Sequence, residues 1–153
     1  MNYKQKYKKI VNELVRESFP ELEKNIPKVF ELKFSKLFGI YLPITNRVGI
    51  NKLCRKFLID EIRGILVHEL CHAEFCRKYG FFKNFFLFFI YWFYPPIRKD
   101  EEDRVDKLAI EKGYAKYLVL SSIRLEKLYP KCKNKTFMSH EEIKLYAKEI
   151  GKW

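Results

Sequence analysis

Histidine is scarce in this chain of 153 residues, which has three, at positions 68, 72 and 140, and a single glutamine. The four cysteines (Cys54, Cys71, Cys76 and Cys132) never fall into C-x-x-C, which argues against a cysteine-built structural metal site. With no hydrophobic leader in Met1–Lys9, they read as reduced thiols of a cytoplasmic protein. There is no apolar run of the ~20 residues that a membrane-spanning helix needs. Internal repeats and low-complexity tracts are also absent, so residues 1–153 are expected to form one domain, large enough to bury its own core. Acidic residues are in deficit, 19 Asp and Glu against 31 Lys and Arg, for a net charge of +12. The excess is mostly lysine, 23 against 8 arginines, and no nucleic-acid motif accompanies it, so it is read as a solubility feature rather than a nucleic-acid footprint. Abundant Lys, Glu and Ile with little Gln is the usage of a thermophile or of an AT-rich genome.

Two of the three histidines fall in His68-Glu69-Leu70-Cys71-His72, an H-E-x-x-H motif. On a helix, positions i and i+4 project from one face, so both imidazoles can reach one metal ion. Glu69 is turned about 100° from His68 around such a helix. It lies beside the ion rather than on it, where a carboxylate can accept a proton from an activated water. The surrounding pattern is helical from about Phe57 to Tyr79. Ile62, Leu66, Leu70 and Ala73 form an apolar stripe opposite the histidines, so the helix should back onto the core and turn its metal-binding face to a cleft. Cys71, inside this helix, reads as a small apolar packing residue.

Elsewhere the spacing predicts an amphipathic helix over residues 4–18, burying Tyr7, Ile10, Val11, Leu14 and Val15. A helical turn is expected around Glu21–Asn25. Strands are expected at Val29–Phe34, Gly39–Leu42 and Arg47–Asn51. A second long helix should begin near Asp100, with Asp100, Glu101 and Glu102 at the positive end of its dipole, and break at Gly113. Tyr114–Tyr129 forms a further helix. Ser139-His140-Glu141-Glu142 is a capping box, with Met138 and Ile143 as its hydrophobic staple, and sets a last helix over His140–Ile150. Phe81–Tyr94 holds nine Phe or Tyr and Trp92 in fourteen residues. It reads as a buried wall, or as surface to be covered by lipid or by a second copy of the chain.

A hydrolytic metal site wants three protein ligands and an open position. Glu102 and Asp106 lie one turn apart on the second helix. Glu102 can complete the ligand set while Asp106 holds a ligand histidine by its other ring nitrogen. Glu101 and His140 are the alternatives for the third ligand. H-E-x-x-H followed by E-x-x-x-D, here Glu102-Asp103-Arg104-Val105-Asp106, is similar to the pattern of the gluzincin metallopeptidases. Over roughly residues 28–112 the chain resembles them, and in its small size it looks most like the minigluzincins, compact archaeal proteins built as a bare catalytic core. The resemblance implies one catalytic Zn2+ held by His68, His72 and Glu102, with Glu69 as general base and acid and Asp106 in support. It also makes Arg47–Asn51 look like the edge strand that lines a peptidase cleft, placing Val48 and Ile50 beside an extended substrate. The chain departs from the pattern in the aromatic character of the 29 residues between His72 and Glu102. It departs also in lacking a transition-state-stabilising Tyr or His at a family spacing. His140, which otherwise reads as a surface residue just inside a capped helix start, and Tyr114, one of ten tyrosines, are the candidates for that role.

The expected fold is therefore α+β and zincin-like, a small mostly antiparallel sheet packed on an active-site helix and a glutamate helix. The expected activity is zinc-dependent hydrolysis of peptide bonds in a peptide or protein substrate. Two rival readings come from other classes. One is a latent protein whose cleft is filled by its own terminal segment, through Trp153, or by self-association. The other is a membrane-surface protein that uses Phe81–Tyr94 and the basic N-terminal helix, with a purely structural zinc.

Overall fold

Five apolar residues at helical spacing drive the first element, α1 (Tyr3–Ser18), to bury Tyr7, Ile10, Val11, Leu14 and Val15. Asn2 starts it by accepting the Lys4 N–H and closing a capping box with Gln5. The computed structural model describes residues 2–33, 37–79, 95–128 and 137–153. The aromatic run Phe81–Tyr94 and Cys132 lie outside the described residues. A 3-10 helix (Pro20–Asn25) leads to strands β1 (Lys28–Leu32), β2 (Gly39–Leu42) and β3 (Arg47–Asn51). α2 (Ile59–Tyr79), the longest helix among the described residues, follows a 3-10 turn at Lys52–Lys56, and α3 (Pro95–Glu111), α4 (Ala115–Leu128) and α5 (His140–Glu149) are the helices described after it.

The sheet departs from expectation in two respects. It is mixed rather than mostly antiparallel, because β1 runs parallel to β3 while β2 runs antiparallel to it. Its order is β1-β3-β2, so Arg47–Asn51 is the middle strand and not an edge. Val48 pairs with Val29 on one side and Tyr41 on the other, and both Val48 and Ile50 are fully buried. A strand paired on both sides has no backbone groups to offer a substrate, so the expected role of Val48 and Ile50 does not hold. The edge beside α2 is β2, which reaches β3 through a turn closed by Asn46 in the left-handed region (φ 47°). Asparagine is among the few side chains that tolerate that conformation. Its amide also ties the turn down, donating to the Asn25 carbonyl at 2.9 Å and accepting from the Tyr41 hydroxyl at 3.1 Å.

The predicted stripe of α2 is the heart of the core, with Ile62, Leu66, Leu70 and Ala73 all buried. α2 packs against β2, α3 and α4, and α5 lies across α3 and α4. Lys112, just past the end of α3, locks the helices together by pairing its charge with Glu74 of α2 and donating to the Ser18 carbonyl of α1, each at 2.9 Å. α3 begins five residues before the expected start. Pro95 and Pro96 occupy its first turn, where a missing N–H costs nothing and the fixed φ already suits a helix. Gly113 (φ +91°) ends that helix, as expected. The capping box of Ser139 and Glu142 is present, with Met138 and Ile143 both buried beside it. No helix among the described residues is long and apolar enough to cross a membrane.

Candidate metal centre

One turn of α2 brings His68 Nε2 and His72 Nε2 to 3.2 Å from each other. From α3, Glu102 sets its Oε2 at 2.9 Å from the first and 3.8 Å from the second. Among the described residues these three side chains form a group able to hold a metal ion, and Glu69 stands outside it. A circle through three points with those separations has a radius of about 2 Å, the length of metal–nitrogen and metal–oxygen bonds in such sites. The donor set therefore fits a single ion. Glu102 is buried, whereas the two imidazoles keep 16% and 20% of their surface, so the centre opens on the histidine side.

The register on α3 is the expected one. Asp106, a turn beyond Glu102 and buried, accepts from His68 Nδ1 at 2.7 Å. With that nitrogen carrying the proton, Nε2 presents a lone pair to the cluster. Glu101 instead faces Arg104 at 3.9 Å. Electrostatics also favour a cation. Burial pushes the His68 imidazole towards its neutral form, but the Asp106 and Glu102 carboxylates outweigh it and hold the pKa well above the ordinary value. Burial likewise opposes ionisation of Glu102, and the adjacent imidazoles of His68 and His72 overcome it, holding its carboxyl far below the usual range. The Asp106 and Glu102 carboxylates thus favour positive charge in the site.

Glu69 is buried beneath the edge of β2. Asn51 N–H bonds the Phe38 carbonyl at 2.9 Å, and the alternation of an antiparallel ladder then turns the backbone groups of Gly39 and Tyr41 outward. The Tyr41 amide meets the Glu69 carboxylate there. Burial raises the Glu69 carboxyl pKa, with His68 and His72 pulling the other way. A Cβ at Gly39 would stand 2.9 Å from both Cγ and Cδ of Glu69 and closer still to Oε1. Glycine is required there so that strand and carboxylate can approach. Sequence reasoning placed Gly39 only at the start of a strand, although a glycine inside a strand signals close backbone approach.

His140 is not brought to this cluster. Its Nδ1 lies 2.7 Å from Glu126 Oε2 and its Nε2 2.8 Å from Glu141 Oε1, so both ring nitrogens are engaged where α4 and α5 meet. The Tyr114 hydroxyl is likewise committed, to Ser18 Oγ at 2.8 Å. Cys71 is fully buried, with its thiol pKa raised well above the ordinary value by that burial, and it packs as the apolar residue expected. No family model matches this chain, and no curated protein or solved structure matches it significantly.

Proposed function

We propose that this chain is a zinc-dependent endopeptidase with a zincin-like catalytic core of the gluzincin type. The observation that carries the reading is the convergence of His68, His72 and Glu102 within ~2 Å of one point, with Glu69 adjacent, buried and outside the ligand set. Zinc bound there would act as a Lewis acid and lower the pKa of a water, the chemistry that peptide hydrolysis needs at neutral pH. The three ligands hold the ion, and Asp106 fixes the ring of His68. Glu69 takes a proton from the attacking water and returns it to the departing amine. Its burial suits this exchange, because a raised carboxyl pKa brings it nearer the pH at which it works. The outward-facing carbonyls of Gly39 and Tyr41 on β2 would pair with an extended substrate, the place first assigned to Val48 and Ile50, while the Tyr41 amide stays with Glu69.

The test loads the protein with one equivalent of zinc and offers it an unfolded polypeptide. Cleavage that a chelator stops and added zinc restores is the expected result. Stoichiometric zinc without cleavage of any unfolded chain would overturn the reading as an active peptidase in favour of a latent or a structural centre. Glu102→Ala should lose most of the bound metal while Glu101→Ala retains it, as measured by elemental analysis after dialysis. The reverse outcome would place the ligand on the other face of α3.

Gly39→Ala should separate positioning from binding. The added methyl group displaces the Glu69 carboxylate, so turnover should fall on the order of 10²-fold, the cost of about an ångström of misplacement. Metal content should stay at the wild-type level. Unchanged turnover in that variant would mean that Glu69 works from a different position.

A further inference from the structure

The Asp106 carboxylate faces two ways. Its Oδ1 accepts from His68 Nδ1 at 2.7 Å, and its Oδ2 accepts the backbone N–H of Met138 at 2.9 Å. Met138 stands 32 residues further along the chain, immediately before the N-cap of α5, with its side chain buried. Its carbonyl accepts from Ser122 Oγ of α4 at 3.4 Å. Asp106 is itself 3% exposed, so little water can replace a lost donor. A buried carboxylate oxygen left bare costs more than the hydrogen bond is worth, and the group turns to recover a partner.

We propose that the Met138 peptide N–H is a positioning group of the metal centre, so that docking of the Met138–Glu149 region and metal occupancy are coupled through Asp106. This rests on the metal-binding reading given above. With both oxygens held, Asp106 has one orientation and fixes the ring of His68. With the Met138 donor gone, the carboxylate is free to turn, and His68 loses the bond that aims its Nε2 at the ion. Outer contacts of this kind change metal affinity by about 10–100-fold. Reciprocity then requires an ion on His68 to strengthen the docking of the α5 segment by the same factor.

Two substitutions separate the N–H from the side chain. Met138→Pro removes the amide hydrogen and keeps an apolar residue, while Met138→Ala keeps the hydrogen and removes most of the side chain. Zinc affinity is read by competition with a chromophoric chelator, and thermal stability of the metal-free proteins is followed alongside. The proline variant should lose roughly 10–100-fold in zinc affinity. The alanine variant should stay close to wild type in affinity even where its stability is lower. Equal affinity in wild type and the proline variant overturns the coupling and leaves the metal site standing. A wild type that takes up no zinc overturns the site and the coupling together. Should the proline variant fail to fold, amide exchange of the wild-type protein decides. Zinc should protect the Met138 amide and α5 beyond any protection of α1, and equal protection of the two regions overturns the proposal.

Discussion

Replacing Glu69 by alanine should lower the rate of peptide hydrolysis by about 10²–10⁴-fold, the usual contribution of a positioned general base. Bound zinc should remain at one equivalent. His72→Ala should do the opposite to the metal and release most of it, because one of the three candidate ligands has gone. The contrast follows from the geometry. His72 Nε2 is one of the three converging atoms, whereas the Glu69 carboxylate lies under β2, against Gly39 and the Tyr41 amide. Elemental analysis and a fluorogenic peptide assay on the same preparations provide both readings. Stoichiometric zinc in His72→Ala would remove that histidine from the ligand set. Wild-type turnover in Glu69→Ala would end the general-base assignment.

The largest effect on stability is expected at Gly64, far from any chemistry. It sits on α2 where α4 crosses, and a Cβ there would lie 2.6 Å from Ser121 Oγ and closer still to the carbonyl oxygen of Tyr117. In an isolated helix Gly→Ala gains about 1 kcal/mol. Here the methyl group meets the backbone of a neighbouring helix, which cannot turn aside as a side chain can. A clash with backbone falls at the upper end of the roughly 1–3 kcal/mol that overpacking costs, and about 3 kcal/mol less the gain of about 1 leaves a net loss of about 2 kcal/mol for Gly64→Ala. For a chain of this size that is a fall in Tm of roughly 4–8 °C. A Tm at or above wild type would show that α4 can shift away freely.

What could be read in the sequence was mainly what repeats with a period or sits within one turn. The stripe from Ile62 to Ala73, the H-E-x-x-H face, the spacing of Glu102 and Asp106 and the capping box at Ser139 are all local patterns, and each appears in the structure. The order of strands is not local. Alternation in Arg47–Asn51 indicates which residues turn inward, but a middle strand and a half-buried edge strand give the same pattern, so β3 was misplaced. The acidic residues Asp100, Glu101 and Glu102 mark a helix start so strongly that they mask the earlier one at Pro95, although proline suits a first turn equally well. The donor at Met138 was invisible for a different reason. Every residue but proline carries a backbone N–H, so sequence cannot single one out. His140 shows the converse error, in which a scarce residue type drew attention while its nitrogens serve the junction of α4 and α5.

The placement of two candidate ligands within one turn has a kinetic consequence. His68 and His72 keep their spacing for as long as α2 is helical, so together they act as a preformed chelate. Glu102 comes from α3, and its distance from that pair depends on how the two helices are docked. An ion would therefore arrive and depart in two stages, engaging the pair first and the carboxylate second, and letting go in the reverse order. The residence time of such an ion would then be set by separation of α3 from α2, without any unwinding of the helix that carries the histidines. Lys112, which ties the end of α3 to Glu74 and to the Ser18 carbonyl, would thereby slow the exchange of a bound ion without touching it.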